Sequence, residues 1–122
     1  MLKGDTKVEY QVLKDTEIPA QIASQVVPEY RQLERALACI VDDKVYILAS
    51  RGAKPTSGYE IAIDKMTLAE ESGKSTLTVY CQFKDPKPGA ALTQAVTYPL
   101  QVAESSLEML PDQIELRVQY VE

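Results

Sequence analysis

Apolar and polar residues alternate with a period of two in several stretches of this chain. Val8, Tyr10 and Val12 oppose Lys7, Glu9 and Gln11; Leu77, Val79, Cys81 and Phe83 oppose Thr76, Thr78, Tyr80 and Gln82; Ile114, Leu116, Val118 and Tyr120 oppose Glu115, Arg117 and Gln119. That period places each apolar set on one face of a half-buried strand. Tyr59, Ile61 and Ile63 alternate in the same way with Glu60, Ala62 and Asp64, and residues 94–102 resume β character. Residues 45–50 are apolar at nearly every position, the pattern of a central strand covered on both faces. Between the first strand and this one the period changes. Asp15, Glu17 and Pro19 form a helix-start signature, and Ile18, Ile22 and Val26 recur at helical spacing. Pro28 interrupts that helix, and Tyr30, Leu33 and Leu37 continue an apolar stripe opposite Arg31, Gln32, Glu34 and Arg35. The spacing predicts one kinked helix, or two short ones, over residues 19–38.

The turn signals complete the outline. Glu70-Glu71-Ser72-Gly73-Lys74 reads as a polar hairpin turn with glycine at a position needing positive φ, and the acidic pair Asp42-Asp43 lies in another turn. The expectation is an α+β fold: an antiparallel, sandwich-like sheet of about six strands with the N-terminal kinked helix packed against it. A chain of 122 residues suits one domain, spanning residues 1–122.

Composition narrows the chemistry. Histidine is absent, so Ser-His-Asp and Cys-His catalytic arrangements and His-ligated zinc sites are excluded within this chain. The two cysteines, Cys39 and Cys81, are too few for a structural zinc site and sit among apolar residues, which reads as small buried side chains in a reducing compartment. No metal and no cofactor is expected. The net charge of −5 and the lack of any Lys/Arg run argue against nucleic acid and against anionic membranes as partners. There is no apolar run of membrane-spanning length, and the first seven residues lack the apolar core of a signal peptide. The chain as given therefore reads as cytoplasmic, or as secreted or surface-anchored if a leader has been trimmed away.

Two loops stand out. In Lys54-Pro55-Thr56-Ser57-Gly58-Tyr59, proline fixes one φ, glycine admits a positive one, and two hydroxyls can bond nearby backbone. Downstream, Asp85-Pro86-Lys87-Pro88-Gly89 precedes Thr93-Gln94-Ala95-Val96-Thr97-Tyr98-Pro99, in which Pro99 suggests an edge strand or a bulge. Both read as stiff β-connections. If the sheet brings them together they form one polar, aromatic patch, with Tyr59 and Tyr98 as anchors and Lys54, Pro55, Thr56, Ser57, Gly58, Gln94 and Thr97 around them. No nucleophile–base pair or oxyanion hole accompanies them, so a non-enzymatic role is expected.

These same segments resemble a known family, the C-terminal domain of the protease-complex subunit PrcB. Its hallmark, Gly-x-Lys-Pro-Thr-x-Gly-Tyr, stands at Gly52 to Tyr59; its Pro-x-Pro-Gly turn stands at Pro86 to Gly89; its Thr-Gln-Ala-x-Thr-Tyr-Pro segment stands at Thr93 to Pro99. The resemblance spans about residues 45–104 and implies a non-catalytic domain that binds a protein partner and serves assembly of a protease complex. A narrower similarity links Lys54 to Tyr59 with the Asn-Pro-Thr-Thr-Gly-Tyr loop of chagasin-like inhibitors of cysteine peptidases. Their other two binding loops are not matched here, at Ser72-Gly73-Lys74 or at Thr97-Tyr98-Pro99. The alternatives to protein binding are thus a peptidase inhibitor that plugs a cleft with this loop, or a small-ligand-binding domain.

Overall fold

A computed structural model describes residues 6–122; the first five residues, on which the reading of the leader partly rests, lie outside it. The chain is mostly β. Among the described residues eight strands run β1 (Thr6–Lys7), β2 (Tyr10–Val12), β3 (Glu34–Val41), β4 (Lys44–Arg51), β5 (Glu60–Glu71), β6 (Lys74–Lys84), β7 (Leu100–Ser105) and β8 (Gln113–Val121), with a short helical segment between β2 and β3. They form two four-stranded sheets, ordered β1-β5-β6-β8 and β2-β7-β4-β3, rather than one sheet of about six.

The two sheets face each other. Val45, Ile47 and Ala49 of β4 meet Ile61, Ile63, Met66, Leu77, Val79, Cys81 and Phe83 of the opposite sheet in one apolar layer. The other face of β4, with Tyr46 and Leu48, joins Ile22 and Val102 in a second layer beneath the helical segment. That strand is buried along its length from Val45 to Arg51, as its unbroken apolar pattern predicted. The first strand is split: the chain crosses from one sheet to the other at Val8, whose N–H bonds the Met66 carbonyl at 3.0 Å. That crossing closes one flank of the sandwich.

The helix is shorter than its apolar stripe suggested. It comprises a π-turn at Ile22–Val26 and an α-turn, α1, at Val27–Tyr30. Pro28 lacks an N–H and its ring needs room near the Ser24 carbonyl, and the wider turn just before it accommodates the ring. Residues 34–38, expected to continue the helix, belong instead to β3. Tyr30, Leu33 and Leu37 imitate helical spacing, but Leu37, Cys39 and Val41 pack beneath the helical segment while Ala36 and Ala38 pack between the sheets. A strand apolar on both faces carries no period-two signal. Asp42 and Asp43, with φ of 50° and 65°, form the two-residue turn that returns β3 into β4.

The purely antiparallel expectation also fails at one pair, since β6 and β8 run parallel in register from Thr76↔Gln113 to Lys84↔Val121. The reason is connectivity. After β6 the chain crosses to the other sheet for β7 and crosses back for β8, and two reversals leave the strands parallel. Residues 94–98 are loop, and β7 starts only at Leu100. Pro99 stands just before this central strand, offering its carbonyl to the Arg51 N–H at 2.9 Å, so it marks neither an edge nor a bulge. The one bulge in β5 is at Asp64. Its freed backbone is bonded across the sandwich: the Ile63 N–H donates to Gln101 Oε1 at 2.8 Å, and the Tyr10 hydroxyl donates to the Ile63 carbonyl at 3.2 Å.

Candidate functional site

Both sheet-crossing connections rich in proline and glycine lie at one end of the sandwich, where β4 and β6 end and β5 and β7 begin. The two loops are joined there by backbone. Lys54 and Thr97 form an antiparallel bridge, with N–H to carbonyl distances of 2.8 and 2.9 Å. The Ser57 N–H donates to the Thr93 carbonyl at 3.0 Å, and the Thr93 N–H donates to Ser57 Oγ at 2.8 Å. Thr97 Oγ1 donates to the Thr56 carbonyl at 2.8 Å, and Thr56 Oγ1 donates to the Ser57 carbonyl at 3.0 Å. All three hydroxyls are therefore struts of the loop pair.

Gly58 has φ +94°, and a Cβ there would lie 2.9 Å from both Leu92 Cδ2 and Pro86 Cβ. Only glycine satisfies both the backbone conformation and the close approach of the second loop. The two tyrosines are half-buried with cations on their faces. The Arg31 guanidinium lies 4.1 Å from the Tyr98 ring centroid, while Arg51 and Lys54 Nζ lie 5.2 and 5.6 Å from that of Tyr59. Arg31 directly follows α1, and its carbonyl accepts from Ser50 Oγ at 3.1 Å, so the helix end is fastened to the same corner. The exposed residues of this corner include Pro55, Gln94, Ala95 and Val96, with Val96 59% exposed.

The central residue of this corner, Arg51, lies outside both loop motifs. Arg51 ends the buried strand β4 with a side chain only 2% exposed. Nη1 donates to the carbonyls of Glu60 at 3.0 Å and Lys84 at 2.9 Å, two residues that are themselves paired across β5 and β6. Nη2 pairs with the Asp85 carboxylate. The rings of Phe83, Tyr59 and Tyr120 surround the guanidinium, with centroids 4.6, 5.2 and 5.7 Å away. A side chain rooted in one sheet thus clasps the last rung of the other. The only sequence signal was position: a lone arginine at the end of a mostly apolar strand and directly before Gly52.

The titratable chemistry is subdued. Burial, reinforced by Asp64, pushes the Cys81 thiol up to about 12, and burial also raises Cys39, so neither is a ready thiolate at neutral pH. The two are free and belong to strands of different sheets. Among the described residues no three Cys, Asp or Glu side chains gather as a metal set, and no helix is long and apolar enough to cross a membrane. The cavity bordering this corner, about 430 Å³, is lined by Asp85, Pro86, Lys87, Pro88, Tyr120, Val121 and Glu122, without any of residues 54–59.

Fold and site together define a β-sandwich domain whose end loops are braced into one fixed surface. Residues 45–105 match the family model "PrcB C-terminal", half of the chain, and the chain belongs to that family. The matched region runs from the buried strand β4 through β7 and contains both loops and Arg51. Comparison with curated proteins and with solved structures finds no match.

Proposed function

We propose that this is a non-enzymatic protein-binding domain that serves assembly of a protease complex, with the joined end loops as its contact surface. The observation that carries the reading is that the loop pair is locked internally while its tip stays exposed. The hydroxyls of Thr56, Ser57 and Thr97 are spent on backbone bonds, and Pro55, Gln94 and Val96 face outward. A surface already ordered loses little conformational entropy on docking, which favours protein recognition. The family name supplies the association with a protease complex. In this reading Lys54, Gly58, Tyr59 and Tyr98 shape the surface, and Pro55, Gln94 and Val96 touch the partner.

Affinity capture with the immobilised chain tests this. The wild type retains a protease, identified by mass spectrometry and by peptidase activity of the eluate, and a folded Val96→Asp variant retains at least tenfold less. Equal retention by the variant removes the loop surface from the proposal. Capture of partners that include no protease removes the complex. Direct inhibition of a papain-type peptidase by the wild type would replace assembly with the cleft-plugging reading.

A further inference from the structure

The two flanks of the sandwich differ. One is closed by the short strands β1 and β2, where the chain passes between sheets. The other ends in two long edges, β3 and β8, with a groove of about 440 Å³ between them lined by Leu33, Glu34, Arg35, Ala36, Ile114 and Leu116. Edge strands invite pairing unless they are short, bulged, covered, or carry proline or charges that a partner strand would not match. The nine residues of β8 carry no proline and no bulge, their inward positions Ile114, Leu116 and Val118 are apolar, and their two charges, Glu115 and Arg117, are of opposite sign and exposed. Those three remain half-exposed, and Leu33 at the rim of the groove is 49% exposed.

The sequence of β8 identifies what fits this edge. Laid antiparallel against itself about Leu116, it is self-complementary. Leu116 opposes the partner's Leu116, Ile114 opposes the partner's Val118, Gln113 opposes the partner's Gln119, and Glu115 opposes the partner's Arg117. Opposed residues in an antiparallel pair share a face, so the charges meet outside and the apolar residues inside. Within one chain, Arg117 Nη2 and Glu115 Oε2 stand 3.5 Å apart with side chains 64% and 51% exposed, free to exchange partners. We propose that β8 is a homodimerisation edge, joining a second copy of this chain through an isologous β8–β8 pair. The four-stranded sheet becomes one continuous sheet of eight strands, and the open flank is covered. The paired residues 113–119 stop short of Tyr120 and Val121, the end of β8 that borders the end-loop corner, so dimerisation leaves the loop tip at Pro55, Gln94 and Val96 available.

Sedimentation equilibrium of the full chain across micromolar to millimolar concentration tests the proposal, with circular dichroism as the control for folding. The wild type shows a monomer–dimer equilibrium. Arg117→Glu and Glu115→Arg each place two like-charged pairs across the two-fold axis and weaken self-association by about thirtyfold. Mixed with each other, the two variants restore two opposite pairs and recover dimer as a heterodimer. The double variant Glu115→Arg/Arg117→Glu is again self-complementary and dimerises like the wild type. A wild type that stays monomeric throughout overturns the proposal. So does a folded Arg117→Glu variant that dimerises undiminished, or a mixture that recovers no dimer.

Discussion

Replacing Arg51 by methionine keeps most of the stem's volume and removes the guanidinium, isolating the clasp between the sheets. Three acceptors lose their donor: the Glu60 and Lys84 carbonyls and the Asp85 carboxylate. Hydrogen bonds involving a charged group contribute about 1.5–3 kcal/mol each, and three surrounding rings add roughly 0.5–1 kcal/mol apiece. Against this stands the several kcal/mol needed to desolvate a guanidinium, which makes some buried ion pairs replaceable by apolar residues without loss. Asp85, 54% exposed, recovers water once the arginine is gone and contributes little to the difference. The two carbonyls lose their side-chain donor at the junction of the sheets, so their bonds decide the sign. The expected cost is about 2–4 kcal/mol, a large part of the 5–15 kcal/mol typical of a domain this size. Urea denaturation followed by circular dichroism reads it as a lower midpoint at unchanged slope. Hydrogen exchange adds a local readout, with faster exchange at the Lys54 and Thr97 amides than elsewhere. An Arg51→Met variant as stable as the wild type refutes the reasoning, because desolvation would then cancel the clasp.

The other expectations concern single positions. Gly58→Ala combines a positive φ with 2.9 Å contacts to Leu92 and Pro86 and costs about 2–3 kcal/mol, whereas Gly73→Ala, with φ +79° and open space, costs only about 1 kcal/mol; thermal denaturation of the pair separates clash from backbone strain. Thr97→Val removes the donor to the Thr56 carbonyl and costs about 1 kcal/mol, read in the same melts. Cys81 has a thiol raised to about 12 in the folded chain, so the unfolded chain gives up its proton first as the pH rises. Its contribution is intact below the ordinary thiol range and is lost as pH climbs towards 12, at about 1.4 kcal/mol per pH unit. Denaturation midpoints at pH 8 and pH 10 show this loss, and Cys81→Val abolishes its share of it.

The legible and illegible parts of the fold divide along one physical line. Strands β6, β8 and the first part of β5 face the core with one side, and their period-two pattern announced them; beyond the bulge at Asp64 the apolar phase of β5 shifts to Met66 and Leu68, and that half was not read. The helical run was legible from the spacing of Ile18, Ile22 and Val26, but its start was not: Asp15–Glu17 forms a separate 3-10 turn, and no side chain caps the π-turn at Ile22–Val26. Strand β3 was not, since Ala36 and Ala38 pack between the sheets while Leu37, Cys39 and Val41 pack under the helix, and burial on both faces erases the alternation. The glycine and proline motifs revealed two stiff loops, but not that Lys54 and Thr97 would bond each other.

The sequence alone thus determined the stiff loops, the buried character of β4, the absence of histidine chemistry and the family likeness. These depend on residue type and short-range spacing. Tertiary structure decided the rest: two sheets instead of one, a parallel β6–β8 pair, and the convergence of both loops on Arg51. Each depends on contacts between residues distant in the chain, and the packing energy that selects them is a property of the assembled layers, not of any segment. A single arginine at the end of a strand is unremarkable until Glu60, Lys84 and Asp85 are brought to it.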